Sequence, residues 1–368
     1  MNMRATPDAL TTFRNKSYFP ALDGIRALSV LMVMSNHLHS NYAYMRQTPG
    51  WSGVDVFCVL SGFLITTLLL REEADRGSVK LTAFYLRRFF RIVPIFLLVL
   101  LAYVPVAYFG EHGIRWQAFK SALPLYLTFM QDFVPHEAPF SFSWTLGIEE
   151  KFYLIWPVVA FVLCRKLRTR ALLGALFFAI SAWLFLWLEA TSDRAFYQAR
   201  SYAALALGSL VACLLASTLA KPYSRWIGRV PAVFPVLAVL LSLGLVYYDR
   251  RFILVLDASI SVFISHLLLV PSSVRSWLSK PVLVWIGKRS YSMYLIHLLI
   301  LNPVRVVIHP KNLPMELVVL LIAYSLTAGA SHLIYLFVEQ PMRKVGKRLS
   351  AKSEAEEKQS IAVATSAR

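Results

Sequence analysis

The chain has 368 residues, of which 57% are hydrophobic and only 16% are charged. A soluble globular protein is less apolar and about a quarter charged, so this composition excludes an ordinary soluble enzyme and indicates a polytopic membrane protein. The formal net charge is +18. Because the Lys and Arg residues cluster between apolar segments, we attribute this charge to membrane topology and expect no nucleic-acid partner.

Apolar segments long enough to cross a bilayer recur along the chain. There are about ten, near residues 22–40, 52–70, 92–109, 146–163, 171–189, 200–219, 231–248, 252–270, 284–301 and 315–338. They predict an all-α, polytopic membrane helix bundle of about ten transmembrane helices, with both termini on one side. Residues 119–130 are apolar but short and contain Pro124, so we expect a re-entrant or an interfacial element there.

Basic residues follow every second apolar segment and predict the orientation of the bundle. They lie mainly in residues 71–91, 165–170, 221–229, 275–289 and 343–348. By the positive-inside rule these connections and both termini are cytoplasmic. The predicted organisation is a cytoplasmic segment (1–20), a membrane domain (21–340) and a basic cytoplasmic tail (341–368). The tail is charged and then small and polar, so we expect it to be disordered.

The first membrane helix carries two ionisable residues, Arg26 near one end and His37 towards the other. At 3.6 residues per turn they fall on nearly the same face, roughly 16 Å apart along the axis. Charged groups that face lipid cost several kcal/mol, so both are expected to point into protein or a wet cavity. His37 is either a general base or a buried, hydrogen-bonded histidine. Arg26 either contacts an anion or extends to the cytoplasmic interface. Asp23 is either the N-cap of this helix or a partner for Arg26.

Two further pairs stand where chemistry is possible. Arg88 and Arg91 lie on one helix face at the predicted cytoplasmic mouth, where they bind either phosphates or anionic lipid. Glu149 and Glu150 begin a helix at the predicted outer side. These carboxylates either interact favourably with the helix dipole or orient His37 and stabilise its imidazolium.

Three single residues in apolar segments complete the candidates. Asp55 is either a second carboxylate of the site or the structural partner of an arginine. Arg200 either anchors at lipid headgroups or meets the acceptor, and His297 either shapes the site or packs. The cysteines at 58, 164 and 213 lie in or beside apolar segments without CxxC spacing, so neither a disulfide framework nor a metal site is expected.

Six motifs occur together, in order, between about residues 20 and 345. They are Leu22-Asp23-Gly24-Ile25-Arg26-Ala27 with His37, Gly53-Val54-Asp55-Val56-Phe57 with Leu60-Ser61-Gly62-Phe63-Leu64, Arg87-Arg88-Phe89-Phe90-Arg91, Trp144-Thr145-Leu146-Gly147-Ile148-Glu149, Gly287 to His297, and Glu339-Gln340-Pro341. This set resembles the acyltransferase 3 family of bacterial integral membrane O-acyltransferases. Thr145 stands where many members carry Ser and keeps the hydroxyl.

The resemblance implies an enzyme and assigns roles. His37 would be the central catalytic residue, with Glu149 rather than Glu150 as its carboxylate partner. Arg88 and Arg91 would bind the phosphates of acyl-CoA, with acetyl-CoA as the default donor and no metal. In the family the segment of His297 helps to shape the site. Independently of the resemblance, Arg26, Asp55, Arg200 and His297 are our candidates for contact with substrate.

The implied activity is transfer of an acyl group, acetyl by default, from cytoplasmic acyl-CoA to a hydroxyl of a surface or secreted glycan, in the bacterial inner membrane. The alternative is a transporter or flippase of a lipid-linked or acylated substrate, because intramembrane Arg, His and Glu also mark substrate paths. The acceptor and the oligomeric state are not determined by the sequence.

Overall fold

The computed structural model describes residues 9–16, 18–38, 48–109, 114–188 and 193–366, with side chains at all of these except 114, 193–194 and 356–366. Within these ranges the chain forms helices and no β-strand, which confirms the predicted all-α class. In chain order the α-helices are Ala9–Asn15 (α1), Pro20–Asn36 (α2), Gly53–Arg76 (α3), Leu81–Phe109 (α4), Ile114–Leu127 (α5), Trp144–Pro157 (α6), Leu167–Leu188 (α7), Asp193–Ala216 (α8), Ala220–Ile227 (α9), Val233–Tyr248 (α10), Ile253–Leu269 (α11), Ser273–Leu278 (α12), Pro281–Ile308 (α13), Leu313–Ile334 (α14) and Gln340–Ser366 (α15).

Short helical segments occur between or after these helices. Single 3₁₀ turns span Pro49–Ser52, Gln131–Phe133, Ser141–Ser143 and Arg250–Phe252, and π-helical turns span Val158–Leu163 and Tyr335–Glu339. The π-helical turns follow α6 and α14 directly, and together with those helices they cover the predicted spans 146–163 and 315–338. Such turns widen the helix locally and are frequent near functional sites.

The protein is a polytopic membrane protein. Among the described residues, seven helices are long and apolar enough to cross a bilayer, and α1 with α2 adds an eighth if that bent pair is one span. The helix α10 is apolar but shorter. Each predicted span overlaps one of the helices, although residues 39–40 and 189 lie outside the described ranges. The count of ten crossings stays a prediction, as does the role of residues 119–130, which belong largely to α5.

The chain divides into two compact units. The first combines the described residues up to Leu70 with Val162–Ser290, and the second combines Arg71–Phe161 with the residues from Tyr291 onward. In the first unit α7 packs along α8, and α10 packs along α11. The 3₁₀ turn Pro49–Ser52 and the helix α12 both pack against α2, the helix that carries Arg26.

Glycines allow close backbone contact around the start of α2. A Cβ atom at Gly24 would overlap the backbone of Leu278 in α12, and one at Gly287 in α13 would overlap the carbonyl oxygen of Asp23. Small residues of this kind let membrane helices pack closely without a hydrophobic driving force. The Gly24 and Gly287 motif positions therefore fix where the Asp23 and Arg26 side chains lie.

In the second unit α4 packs along α15, and α6 packs against the turn Gln131–Phe133. Aromatic side chains fill the space beside α4, where the Phe140 ring lies 5.7 Å from Phe96 and 4.7 Å from Tyr103, centroid to centroid. Offset and tilted ring pairs at these distances add to the energy of burial. The aromatic cluster supports α4, which carries the candidate arginines.

The C-terminal segment, for which the composition predicts disorder, is described as a helix as far as Ser366. Its assignment as a separate cytoplasmic tail stays a prediction. The segment continues from the π-helical turn as α15, and its residue Gly346 lies close against Phe90 of α4. Glu354 pairs with Arg76 at 2.7 Å and with Arg87 at 3.4 Å. Composition alone does not predict these pairs, which join Glu354 of α15 to arginines at the end of α3 and in α4.

Candidate active site

His37 lies at the end of α2. The helix ends at Asn36, and the backbone N–H of His37 still bonds to the carbonyl of Val33 at 3.3 Å. The ring is half-buried, with Nδ1 2.8 Å from the same carbonyl oxygen. A carbonyl only accepts hydrogen bonds, so in the neutral ring Nδ1 carries the proton and Nε2 keeps its lone pair. This is the tautomer that a general base at Nε2 requires.

Arg26 is paired within its own helix. Its Nη1 atom lies 3.4 Å from Oδ1 of Asp23, and Asp23 also accepts a 2.6 Å hydrogen bond from the hydroxyl of Tyr18. The Arg26 side chain is 20% exposed. Asp23 does not cap the helix; the N-cap position is Phe19. Within the described ranges Asp23 is the carboxylate that pairs with Arg26, and it takes up one of the guanidinium nitrogens.

Asp55 and Arg200 form a buried ion pair in the first unit. Oδ1 of Asp55 lies 2.9 Å from Nε of Arg200, and the two side chains are 0% and 1% exposed. The guanidinium carbon of Arg200 lies 4.4 Å from the centroid of the Trp51 ring and 5.2 Å from that of Tyr197. A side chain as buried as that of Arg200 cannot reach lipid headgroups, so the headgroup alternative for Arg200 does not hold. For Asp55 the contact agrees with the alternative that it is the structural partner of an arginine.

A third charged residue, Asp257 in α11, joins this pair. Asp257 is 0% exposed and interacts electrostatically with both Asp55 and Arg200. The sequence analysis did not select Asp257. A single carboxylate in an otherwise apolar helix was the signal that could have found it.

In the second unit Arg88 stacks on Tyr153. The guanidinium carbon lies 3.4 Å from the ring centroid, and the Tyr153 hydroxyl donates a hydrogen bond to the Glu149 carboxylate. Glu150 interacts electrostatically with both Arg88 and Arg91. Among the described residues, neither Nε of Arg88 nor Oε1 of Glu150 has a hydrogen-bond partner, although both atoms are buried.

These contacts correct one expectation. The sequence places Arg88 at the cytoplasmic mouth and Glu149 at the outer side, yet Tyr153 bridges them, so the two side chains lie at one level of the second unit. The reason is that long side chains connect α4 and α6: besides the contact of Arg88 with Tyr153, the Tyr85 hydroxyl donates a 2.7 Å hydrogen bond to the Leu154 carbonyl. The sequence analysis did not select Tyr153. It lies one helical turn after Glu149, and this spacing could have indicated that its side chain contacts the Glu149 carboxylate.

His297 is enclosed by aromatic side chains. It is 0% exposed, its Nδ1 lies 2.5 Å from the carbonyl oxygen of Tyr294, and its ring meets Phe142 edge to face at 5.0 Å. The Tyr294 hydroxyl donates to the Phe142 carbonyl at 2.6 Å and lies 2.9 Å from Oγ1 of Thr145. The motif residues at 145, 294 and 297 thus belong to one packed, hydrogen-bonded group.

The fold and the buried ionisable side chains define a polytopic helical membrane protein with a histidine, arginines and carboxylates inside its helical units. Comparison with known proteins then gives the family: the model of the acyltransferase 3 family, described as an acyltransferase domain, matches residues 19–336. This is most of the chain, so the protein belongs to the acyltransferase 3 family. The match confirms the predicted family and the predicted class of enzyme.

Curated relatives carry matching names. A provisionally named O-acetyltransferase of Staphylococcus aureus (strain COL) is 31% identical, over 91% of this chain and 59% of the relative. The peptidoglycan O-acetyltransferase OatA of Listeria monocytogenes is 27% identical over 91% of this chain and 57% of that protein. The O-acetyltransferase OatA of S. aureus (strain NCTC 8325) is 29% identical over 89% and 58%. The chain thus spans less than two thirds of these relatives' length. No solved structure matches it.

Proposed function

We propose that the protein is a bacterial inner-membrane O-acyltransferase that moves an acyl group, acetyl by default, from cytoplasmic acyl-CoA to a hydroxyl of a surface or secreted glycan. Family membership and the names of the relatives support the class of reaction. One relative is named for peptidoglycan, which makes a peptidoglycan sugar hydroxyl the first acceptor to test.

The single observation that carries the chemistry is the environment of His37. With Nδ1 held by the Val33 carbonyl, Nε2 is the atom that takes the proton from the acceptor hydroxyl. The hydroxyl oxygen then attacks the thioester carbonyl, and the proton passes to the departing CoA thiolate. A two-step route, in which His37 first accepts the acetyl group, uses the same atom.

The donor would be bound by the arginines. The buried Nε atom of Arg88, unpartnered among the described residues, is a donor for a phosphate oxygen, and Arg91 lies beside the same carboxylate, Glu150. Arg26, half-satisfied by Asp23, is the third candidate for donor contact. Glu149 as the partner that orients His37 remains part of the proposal; its contact with the Tyr153 hydroxyl also couples it to Arg88.

Direct acceptor contact by Asp55, Arg200 and His297 has less support. All three are at most 1% exposed, and Asp55 and Arg200 already bind each other. An acceptor sugar would have to displace that ion pair or the aromatic enclosure of His297. We therefore propose that these three residues support the site structurally. The acceptor would bind at the surface around His37.

The test is the variant His37→Ala, purified in detergent and incubated with radiolabelled acetyl-CoA and a peptidoglycan fragment. Acyl transfer should fall at least about hundredfold, the loss of a general base, while the protein stays folded by size-exclusion chromatography. His136→Ala is the matched control. His136 is also a histidine, but it is exposed and is not one of the candidate site residues. Retained transfer in His37→Ala overturns the catalytic assignment. A parent protein that neither binds nor consumes acetyl-CoA overturns the enzyme reading in favour of a transporter.

A further inference from the structure

The three buried charges Arg200, Asp55 and Asp257, here called the Arg200 cluster, do not balance. Each is at most 1% exposed. The cluster contains two carboxylates and one guanidinium, which is one negative charge too many when all three are ionised. A buried, uncompensated charge is strongly destabilising, and an isolated carboxylate avoids that cost by becoming neutral.

The missing positive charge is not supplied by a described neighbour. Neither carboxylate oxygen of Asp257 has a hydrogen-bond partner among the described residues. The guanidinium of Arg200 also contacts the rings of Trp51 and Tyr197, which carry no positive charge. The Asp55 oxygens likewise have no hydrogen-bond partner of good geometry among the described residues, but Oδ1 of Asp55 lies at ion-pair distance, 2.9 Å, from Nε of Arg200. Within the described part of the chain, Asp257 is therefore the carboxylate without an ion pair of its own, since it shares the charge of Arg200 with Asp55.

We infer that Asp257 binds a proton, so that the Arg200 cluster is an electroneutral unit made of one ion pair and one neutral carboxylic acid. A proton fits better than a metal cation because a hard cation prefers several oxygen ligands, whereas this cluster offers aromatic rings and a repelling guanidinium. Asp257 then serves as a reserve counterion: if Asp55 is neutralised, Asp257 releases its proton and pairs with Arg200.

The cluster supports the end of the helix that carries His37. Arg200 contacts Trp51 in the turn Pro49–Ser52 and Asp55 in the first turn of α3. That same stretch packs on the last turns of α2, where a Cβ atom at Gly50 would overlap the Met32 carbonyl and one at Gly53 the Ser29 carbonyl. Arg200 is thus a positioning residue for the wall beside His37. The protonation of Asp257 itself does not depend on the proposed acyl transfer.

The experiment combines infrared spectroscopy with neutralising variants of the full chain. The spectrum of the parent minus that of Asp257→Asn should contain the carbonyl stretch of one protonated carboxylic acid, shifted in D₂O. The band should also disappear in Asp55→Asn, because Asp257 becomes the counterion there. No acid band in the parent, or a stability that depends on Na⁺ rather than choline in the buffer, overturns the proposal.

Yield of folded protein gives a second readout. Asp257→Asn should stay within about twofold of the parent, whereas Asp55→Asn with Asp257→Asn leaves Arg200 unpaired and should lower the yield at least about tenfold. Adding Arg200→Gln to that pair removes the last charge and should restore folding. Asp249→Asn is the control, since the Asp249 side chain pairs with Arg251 at the surface, 2.7 Å away. A loss in Asp257→Asn as large as in the double variant overturns the proposal.

Discussion

Tyr153 offers the sharpest test of how the second unit holds Arg88. Its ring lies under the guanidinium at 3.4 Å, while its hydroxyl donates to Glu149, so two substitutions separate the two contacts. Tyr153→Phe keeps the ring and removes the hydroxyl. Tyr153→Leu removes both. A desolvated cation–π contact contributes about 0.5–2 kcal/mol, and a hydrogen bond to a charged group about 1.5–3 kcal/mol.

If Arg88 binds the donor, loss of the ring contact should change the KM for acetyl-CoA, whereas loss of the hydroxyl contact should change kcat. At 1.4 kcal/mol per factor of ten, loss of the ring in Tyr153→Leu should raise the KM for acetyl-CoA about two- to thirtyfold. Tyr153→Phe should leave this KM within about twofold and lower kcat about tenfold or more, because the hydrogen bond to Glu149 is lost while the ring under Arg88 is kept. The assay is release of CoA thiol by purified protein at varied acetyl-CoA.

Tyr85→Phe is the matched control for these variants. Tyr85 also joins α4 to α6, but its hydroxyl donates to a backbone carbonyl, that of Leu154, rather than to Glu149. Tyr85→Phe should change neither KM nor kcat by more than about twofold. The lost hydrogen bond is a neutral one, worth about 1 kcal/mol of stability, and it involves neither Arg88 nor Glu149. An unchanged KM in Tyr153→Leu, or identical kinetics in Tyr153→Phe and Tyr153→Leu, would refute the reasoning.

Three further predictions concern packing, the C-terminal helix and topology. Gly287→Ala should destabilise the protein by about 1–3 kcal/mol in thermal unfolding, because its Cβ meets the Asp23 carbonyl, whereas Gly329→Ala meets open space and should be neutral or slightly stabilising. Glu354→Gln should weaken two partly exposed ion pairs by about 0–1 kcal/mol each and make α15 more sensitive to limited proteolysis at low salt, with the difference vanishing at high salt. Reporter fusions at the two termini should both report the cytoplasm, and opposite signals would contradict the predicted orientation.

The sequence was informative about elements and family for a local reason. A span of apolar residues forms a membrane helix wherever it occurs, because its backbone must satisfy its own hydrogen bonds in lipid. Every predicted span accordingly overlaps a helix. Charge composition does not show which charges pair: Glu354 of α15 lies at ion-pair distance from Arg76 and Arg87, which precede it by more than 260 residues.

The sequence by itself determined that this is an α-helical membrane protein of the acyltransferase 3 family and which ionisable residues lie within apolar segments. Only the tertiary structure decided which of them meet: Asp55 with Arg200 and Asp257, and Glu149 with Arg88 through Tyr153. The partners are separated by as many as about two hundred residues, and their pairing depends on which helix faces pack together. Hydropathy and motif order do not determine which faces pack together. A packing that leaves a buried charge without a counterion is strongly destabilised, and this cost favours the arrangement in which these residues meet.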